Sequence, residues 1–449
     1  MPVPSAAPLR DTLLDGSALY FVSYDGLVNN NAFQKHGVLT HAGYQYAVWY
    51  NADRRATIGR RAKDGDAWES VALAHKLTVD DSHNVVCAGI SPQDGRIHVL
   101  MDSHSSGYFY VRSVAGLADG AATWSAEQFG ATETTLGGVT LIPEFTYPQF
   151  VVTPSGRLQL SYRTGISGNG CAALAEYDGG SWTELGAWSD SAGLYTNPYG
   201  SSTARNLYLH GIDYGTDGRL HVFGTWREQD RAVLGRGAAG IGGLTNHDTV
   251  YVYSSDEGRT WINASGEQVG RTGGNPQVSV TSAGLVVDPL GPHHALMNQE
   301  SQAIDAHGLP HALVSYVPER YMGHIADYVG DRVRHARAFH VYQDASMTWH
   351  KDEIPVPLNS SQRSQLVFDR HDDAYAVLPF GRIVAASAES GWRDWTVLFD
   401  GTATLDAFGE VVVDHTRVAQ DGVLSFMYQR KSTGTIPSPL HMIDFQLAG

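Results

Sequence analysis

The sequence has few cysteines, little basic charge and no long apolar run. Its two cysteines, Cys87 and Cys171, are too few for a disulfide framework or a zinc knuckle, and each lies in a strand-like run where a buried thiol is expected. The formal net charge of −16 disfavours a nucleic-acid partner, which would need a broad cationic face. An acidic protein can still bind an anionic polymer where a few arginines line one cleft.

Segments that would carry the chain into or across a membrane are also lacking. No apolar stretch is long enough for a span, and residues 1–16 lack the apolar centre of a signal peptide. We therefore expect no membrane partner. We expect a monomer that is secreted after removal of a leader, or that otherwise stays in the cytoplasm.

Turn-forming and aromatic residues are plentiful instead. The 49 glycines, 22 tyrosines and 10 tryptophans favour many short strands joined by tight turns, because aromatic residues prefer strands and glycine permits sharp turns. One unit recurs, a turn with Gly or Asp followed by an alternating strand. Seven copies begin at Thr40, Pro92, Thr153, Gly215, Asp305, Arg370 and Ala419.

A second recurring element is a turn that ends in tryptophan. The sharpest copy, residues 254–261 (SSDEGRTW), fits the Asp-box, in which Asp256 caps a hairpin and Trp261 packs between sheets. We interpret it as structural rather than catalytic. Seven strand-turn units predict an all-β fold, a single seven-bladed β-propeller of four-stranded blades that spans residues 1–449 as one domain. Pairing of residues such as 18–24 with the last blade would close the ring. A two-domain sandwich is the alternative.

The stretch from Asp81 to Arg112 is predicted to be a hairpin with a histidine at each end. Residues 84–89 read as one strand, a Pro-Gln-Asp-Gly turn follows, and residues 96–101 alternate like a second strand. A hairpin returns its ends to one side, so His83 and His104 are expected at one rim. Two imidazoles that titrate near neutrality suggest proton transfer there. The alternative is two ordinary hydrogen-bonded histidines in a chain that has 20.

The next hairpin repeats this arrangement with different side chains. Tyr147 precedes a proline, which predicts an extended backbone at the start of a strand, and Arg163 ends the following strand. Further polar residues stand at other strand ends and are predicted substrate contacts: Arg227, Asn246 and Gln299.

Two histidines, a tyrosine and one or two arginines form a coherent chemical set. They include no carboxylate pair with the evident spacing of a hydrolase. They suit β-elimination from a uronic acid, in which removal of the C5 proton builds negative charge on the carboxylate and an arginine fork neutralises it. A neutral His or an ionised Tyr takes the proton, and a Tyr hydroxyl or a His cation protonates the departing O4 oxygen.

In combination these motifs resemble the BNR-repeat polysaccharide lyases. The motifs are Asp-x-His83, Asp-Gly-x-x-His98, Asp-x-His104, Thr-Tyr147-Pro, Tyr-Arg163-x-Gly-x-Ser-Gly-Asn-Gly and Trp-Arg227-Glu. That group includes propeller ulvan lyases and the rhamnose–glucuronate lyases that act on gum arabic. The resemblance implies that His83 and Tyr147 are the acid/base pair and that His104 supports or shares the base role. It also implies that Arg163 neutralises the uronate and that Arg227 is a second carboxylate contact.

The predicted function is a lyase that cuts the L-rhamnose-α-1,4-D-glucuronate linkage and leaves a 4,5-unsaturated glucuronate. Exo action on gum arabic side chains is preferred to endo action on ulvan. A propeller α-L-rhamnosidase, another glycoside hydrolase and a non-catalytic sugar-binding propeller are the alternatives.

The predicted chemistry needs no cofactor. Propellers of this kind often hold a structural Ca or Zn ion in the central channel, and His210 and His247 are the candidate ligands.

Overall fold

The computed structural model describes residues 3–120, 123–235 and 242–448. Strands make up 47% of the chain and helices 6%, which confirms the all-β prediction. Among the described residues no helix is long and apolar enough to span a membrane.

The secondary structure is a succession of short strands. In the first half these are β1 (Ser5–Ala18), β2 (Val38–His41), β3 (Tyr44–Tyr50), β4 (Arg55–Ala62), β5 (Glu69–Lys76), β6 (Val86–Ile90), β7 (Ile97–Met101), β8 (His104–Ser106), β9 (Phe109–Arg112), β10 (Phe145–Val152), β11 (Leu158–Arg163), β12 (Ala172–Tyr177), β13 (Trp182–Ala187), β14 (Ala192–Thr196), β15 (Ser201–Tyr214) and β16 (Leu220–Glu228). In the second half they are β17 (Asn246–Ser254), β18 (Thr260–Asn263), β19 (Gln268–Arg271), β20 (Val286–Asp288), β21 (Ser301–Ile304), β22 (Pro310–Tyr316), β23 (Arg337–Gln343), β24 (Trp349–Glu353), β25 (Gln365–Phe368), β26 (Ala374–Leu378), β27 (Arg382–Ala386), β28 (Thr396–Phe399), β29 (Val412–Val413), β30 (Val423–Gln429) and β31 (Ser438–Ala448).

In the part of the chain that the structure describes, two α-helices and four short 3-10 helices lie between the strands. They are α1 (Tyr328–His335) and α2 (His415–Asp421), with 3-10 turns at Ala126–Gln128, Arg231–Leu234, Gly242–Thr245 and Pro379–Gly381.

Within the described ranges the strands form seven sheets, built largely from antiparallel pairs. Their orders are β1-β31-β30-β29, β2-β3-β4-β5, β6-β7-β9, β13-β12-β11-β10-β8, β14-β15-β16-β17-β18-β19 with β20 beside β17, β21-β22-β23-β24 and β25-β26-β27-β28. Several interior strands are buried along their whole length, as in β7 and β30. Burial of this apolar surface is the main stabilising contribution in a fold with so little helix.

The prediction of seven four-stranded blades is wrong, because the structure is a six-bladed β-propeller. Of the seven sheets formed by the described residues, six have four strands or more, but β6-β7-β9 has three. Where its fourth strand is expected, only the isolated bridges Tyr110↔Glu133 and Ser113↔Phe129 are formed. The nearby strand β8 pairs with β10 in another sheet instead. The second repeat therefore does not complete a blade of its own.

The chain divides into two compact units. The first comprises Met1–Leu160, Glu176–Glu184 and Val367–Gly449, and the second comprises Ser161–Ala175 and Leu185–Leu366. The single domain expected from the sequence stays a prediction.

The N-terminal strand pairs with the C-terminal strand within the first unit. The register runs from Ser5↔Ala448 to Ala18↔Ser438. Pairing of the N-terminus with the last sheet was predicted, but for residues 18–24. The pairing forms over residues 5–18, so Ala18 is the member of that stretch that takes part, and the residues after it lead into a turn at Ser23–Gly26.

The Asp-box forms the structural hairpin that its motif predicts. The Asp256 carboxylate accepts hydrogen bonds from the backbone N–H groups of Thr260 (2.8 Å) and Arg259 (3.1 Å), and so closes the turn between β17 and β18. Trp261 is fully buried and stacks on Trp188 with ring centroids 4.1 Å apart.

Candidate active site

The two histidines of the first predicted hairpin meet in the structure. β6 and β7 pair from Val86↔Met101 to Ile90↔Ile97, so the hairpin forms as predicted. His83 precedes β6 and His104 begins β8, which places both at the same end of that hairpin. Their imidazole rings stack with centroids 4.3 Å apart and an interplanar angle of 14°. With Asp81 and Tyr147 they form what we call the histidine cluster, which lies in the first unit.

Asp81 holds both imidazoles through its two carboxylate oxygens. Asp81 Oδ1 lies 2.9 Å from His83 Nδ1, and Oδ2 lies 2.7 Å from His104 Nδ1. Burial alone would raise the pKa of Asp81, but hydrogen bonds from His104 and His83 outweigh it and hold that pKa below its ordinary value. An ionised carboxylate only accepts hydrogen bonds, so Nδ1 of each ring carries the proton. In the neutral rings Nε2 is therefore the proton acceptor.

Tyr147 reaches the histidine cluster through an unusual backbone conformation. Its ring centroid lies 5.9 Å from that of His83 and 6.3 Å from that of His104. The extended backbone predicted from the following proline is wrong, because Tyr147 has a φ of 57°, in the left-handed region. Just before it, the pairing of β10 with β8 has a register shift between Phe145 and Thr146. Such a residue costs about 1–3 kcal/mol, and strain of this kind concentrates at functional sites.

Phe33 gives the histidine cluster an apolar wall. Its ring stacks on His83 with centroids 5.4 Å apart and meets Tyr147 edge-on at 5.2 Å. Phe33 is buried, so it limits the freedom of both polar rings. The packing holds the His83 and Tyr147 rings in one arrangement.

A second cluster of polar side chains lies in the second unit, and we call it the arginine cluster. It consists of Arg163 at the end of β11, Tyr208 on β15, Arg227 on β16, and Ser167. The Tyr208 hydroxyl oxygen accepts hydrogen bonds from Nη1 of Arg163 (2.9 Å) and from Nη1 of Arg227 (3.3 Å). Both guanidinium groups also lie over the Tyr208 ring, at 5.5 and 5.0 Å from its centroid.

The two arginines change the acidity of Tyr208. Burial alone would raise its pKa, but the positive charges of Arg227 and Arg163 outweigh burial and lower the pKa to about 8. Near neutral pH this phenol is a much better proton donor than an ordinary tyrosine, whose pKa is about 10. The cluster also presents two guanidinium groups that suit an anionic ligand.

The lowered pKa of Tyr208 predicts a tyrosinate signal near pH 8. Titration of the folded protein, followed by the ultraviolet absorbance of tyrosinate, should show one tyrosine that ionises near pH 8, and Tyr208→Phe should abolish it. Between about pH 8 and 10 the unfolded state retains a proton that the folded state has lost, so Tyr208 should add stability as pH rises through that window.

The control for this titration is Tyr195→Phe. Burial raises the pKa of Tyr195 to about 12, so its removal should leave the signal near pH 8 unchanged. If the signal persists in Tyr208→Phe, the two arginines do not act on Tyr208 as described.

The three predicted substrate contacts lie at different strand ends. Arg227 donates from Nε to Asn246 Oδ1 (3.0 Å), and Asn246 donates from Nδ2 to the carbonyl oxygen of Leu296 (2.6 Å). Gln299 is buried shortly before β21 and has a left-handed φ of 53°. Substrate binding by these three residues stays a prediction.

His247, a predicted metal ligand, lies between two carboxylates. Its Nε2 lies 3.0 Å from Glu228 Oε1, and its Nδ1 lies 3.0 Å from Asp248 Oδ2. Burial alone would lower the pKa of His247, but hydrogen bonds to Asp248 and Glu228 outweigh it and raise that pKa. Metal binding by His210 and His247 stays a prediction. His210 accepts at Nδ1 from the backbone N–H of Glu300 (3.1 Å).

A different set of residues has metal-ligand spacing. Among the described ranges, the group of three or more ligand atoms within 4.8 Å of one another consists of Asp81, His83 and His104. Their nitrogen and carboxylate atoms already bond to one another, which fits a hydrogen-bonded acid–base group as well as a metal site. A structural ion stays a prediction.

Sequence reasoning missed the roles of Asp81 and Tyr208. Asp81 stands two residues before His83, a spacing that allows a carboxylate to orient a histidine. Tyr208 stands two residues before His210 on β15, close to a residue that the sequence already marks as a candidate. Both spacings are visible in the sequence, but each is common in unrelated proteins.

Comparison with known proteins gives the family. The sequence model of the BNR repeat-containing family matches residues 44–356. The curated protein "Ulvan lyase, long isoform" of Alteromonas sp is 23% identical over 459 residues, which cover 92% of this chain and 43% of that protein. This chain thus spans less than half the length of that relative.

Two solved structures share the fold. The crystal structure of polysaccharide lyase Uly1 has a TM-score of 0.72 and 18% identity, and the match covers 98% of this chain and 99% of that one. The PL25 ulvan lyase bound to -[GlcA(1-4)Rha3S]- has a TM-score of 0.65 and 14% identity over 96% of this chain and 95% of that one. At such identities the likeness concerns the fold alone. The family match covers well over half of the sequence and agrees with the motifs around His83, Tyr147 and Arg163, and the chain therefore belongs to the BNR repeat-containing family.

Proposed function

We propose that this chain is a polysaccharide lyase that cleaves rhamnose–glucuronate linkages by β-elimination. One observation carries the proposal. The ionised Asp81 fixes the Nδ1 protons of His83 and His104, so two imidazole Nε2 atoms are proton acceptors beside the Tyr147 ring. The curated relative is called an ulvan lyase, and one structural neighbour is bound to a glucuronate–rhamnose 3-sulfate chain.

The elimination needs a base for the C5 proton of the glucuronate. A neutral imidazole Nε2 of the His83–His104 pair accepts this proton, and the electron pair of the C5–H bond forms the C4=C5 double bond. The C4–O4 bond then breaks. Asp81 stabilises the imidazolium that results, as a carboxylate does for the histidine of a hydrolase triad. The stacked second imidazole keeps the pair of rings in place, so we assign the base to this pair as a unit.

The elimination also needs an acid for the departing O4 oxygen. The Tyr147 hydroxyl donates its proton to O4, which becomes a hydroxyl group on the rhamnose that leaves. The products are a 4,5-unsaturated glucuronate and a chain end that carries rhamnose. Water then reprotonates the phenolate and deprotonates the imidazolium, which returns the histidine cluster to its starting state.

The negative charge that grows on the uronate carboxylate must be neutralised. On the basis of the sequence motifs alone, we assign this role to Arg163, with Arg227 as a second contact. Both guanidinium groups donate to the Tyr208 hydroxyl, and guanidinium groups pair with carboxylates through two parallel hydrogen bonds.

We propose ulvan as the substrate, with gum arabic as the competing one. The relatives favour ulvan, whereas exo cleavage of gum arabic side chains is the expectation from the sequence motifs. Both polymers contain the same type of linkage, so the residues of the histidine cluster do not separate them. The length distribution of the products separates endo from exo action.

The test is incubation of the protein with ulvan and with gum arabic, followed by ultraviolet absorbance of the unsaturated uronate. An absorbance rise on either polymer is the expected result. Cleavage without this absorbance would identify a hydrolase, and binding without cleavage would identify a sugar-binding propeller. Either of these results would contradict the proposed elimination.

A further inference from the structure

We propose that Tyr24 is a sugar-binding platform, on which one pyranose ring next to the scissile bond stacks. This inference rests on the proposed function, because it takes the histidine cluster as the place of bond cleavage. Its ligand class is a pyranose with an apolar face, such as the 6-deoxy sugar rhamnose. Family motifs gave no indication of this residue.

Tyr24 lies directly against the two stacked histidines. Its ring meets His83 edge-on with centroids 4.6 Å apart and an interplanar angle of 80°, and it meets His104 at 6.0 Å and 88°. A sugar that contacts Tyr24 is therefore next to the proton acceptors of both rings.

The Tyr24 ring is otherwise open to solvent. Its exposed fraction is 73%, compared with 52% for Tyr199 and 41% for Tyr321. An aromatic ring so exposed contributes little to the core, whereas the faces of such rings bind the apolar C–H face of sugars and other flat ligands. Exposure at this position is thus a binding feature rather than a packing defect.

The backbone holds Tyr24 in a conformation that tyrosine rarely adopts. Ser23 and Gly26 exchange backbone hydrogen bonds of 3.1 and 2.9 Å, which close a tight turn. Between them Tyr24 has a φ of 48° and Asp25 a φ of 62°. Turns with two left-handed residues normally use Asn and Gly. A bulky side chain persists there only where the surroundings fix it, which is typical of functional positions.

The surroundings that fix this turn belong to the segment that carries the base. Ser82 donates from its backbone N–H to Ser23 Oγ (2.8 Å) and from its hydroxyl to the Ser23 carbonyl oxygen (2.7 Å). Asn31 donates to the Ser82 carbonyl oxygen (2.5 Å) from the other side. Because Ser82 precedes His83, the platform and the imidazole keep a fixed separation. A rigid aromatic ring loses little conformational entropy when a ligand binds.

The test compares Tyr24→Ala, Tyr24→Phe and Tyr24→Trp on ulvan. A stacking platform needs the ring but not the hydroxyl. We expect Tyr24→Ala to raise KM by about 10-fold with kcat changed far less, because stacking adds binding energy without taking part in bond cleavage. The Phe and Trp variants should stay close to wild type.

Tyr199→Ala is the matched control. Tyr199 is also an exposed tyrosine whose ring meets two stacked histidines edge-on, His293 at 5.4 Å and His324 at 5.6 Å. This variant should leave KM unchanged. An unchanged KM in Tyr24→Ala would overturn the proposal, and so would a Tyr24→Phe variant as impaired as Tyr24→Ala, because the hydroxyl would then be the functional group.

A binding measurement separates this proposal from the proposed function. The Tyr24→Trp/Tyr147→Phe double variant is titrated with saturated ulvan oligosaccharides, with the Tyr147→Phe variant as its reference. A change in tryptophan fluorescence on titration that appears only in the double variant supports stacking of a sugar at position 24. If the double variant shows no such change, the platform proposal is contradicted. If the wild-type protein forms no unsaturated product, the proposed elimination fails, whereas this titration still reports whether a sugar stacks at position 24.

Discussion

The Tyr147→Phe variant should turn over a rhamnose–glucuronate substrate at least about 10²-fold more slowly than the wild-type protein, the usual scale for a lost acid–base group. The substitution removes one hydroxyl and keeps the ring. Without that hydroxyl the departing O4 oxygen leaves as an alkoxide or takes its proton from water. Both routes are slower than donation from a positioned phenol.

The geometry predicts that the Tyr147→Phe variant still folds. The ring of residue 147 packs edge-on against Phe33 at 5.2 Å and lies 5.9 Å from His83, and both contacts use carbon atoms that phenylalanine retains. Thermal unfolding should therefore be close to that of the wild-type protein. Loss of turnover in a folded protein would assign the effect to the hydroxyl.

The measurement is kcat from the absorbance of the unsaturated product, with Tyr108→Phe as the control. Tyr108 lies in the same unit, and its hydroxyl donates to the carbonyl oxygen of Val139 (3.5 Å), outside the histidine cluster. The control should keep its turnover. Near-wild-type turnover in Tyr147→Phe would remove Tyr147 from the mechanism.

The sequence predicted those parts of the candidate site whose structure depends on local rules. Strand alternation and a Pro-Gln-Asp-Gly turn fixed the β6–β7 hairpin, and a hairpin necessarily returns its ends to one side. The convergence of His83 and His104 followed from that geometry. The Asp-box was predicted for the same reason, because its capping hydrogen bonds join residues four positions apart or fewer.

Long-range pairing was harder to predict. The repeat count suggested seven blades, but whether a repeat completes a blade depends on a fourth strand distant in sequence, and beside β9 only isolated bridges formed. The backbone of Tyr147 shows the same limit. The rule for residues before proline is local, and Tyr147 departs from it next to the register shift in the β10–β8 pairing.

The charged partners of Tyr208 and His104 could not be predicted from the sequence either. That Arg163 and Arg227 converge on Tyr208 depends on three strands whose register no motif encodes. The contact of Asp81 with His83 was easier to predict, because the two residues are two positions apart. Its second bond, to His104, joins residues 23 positions apart and follows only from the folded hairpin.

Replacement of Arg163 should abolish most activity even when the positive charge is kept. The uronate carboxylate is already anionic, and removal of the C5 proton spreads further charge onto it. A guanidinium there binds this state more strongly than the ground state, so its loss should lower kcat as well as raise KM. Arg163→Ala and Arg163→Lys should each lower kcat by about 10²-fold, the scale for loss of one preorganised donor to developing charge.

The lysine variant separates this role from a merely structural one. Lysine keeps the charge but lacks the planar fork that pairs with a carboxylate and that also donates to Tyr208 (2.9 Å), so the exchange is not conservative at this position. Arg219→Lys is the matched control, because Arg219 also lies over a tyrosine ring, that of Tyr253 at 5.0 Å, but its side chain is exposed and pairs with Asp217. Activity should survive in Arg219→Lys, and thermal unfolding should show that both variants fold. Full kcat in Arg163→Lys would mean that Arg163 has only a structural role at the end of β11. The uronate carboxylate would then need another partner.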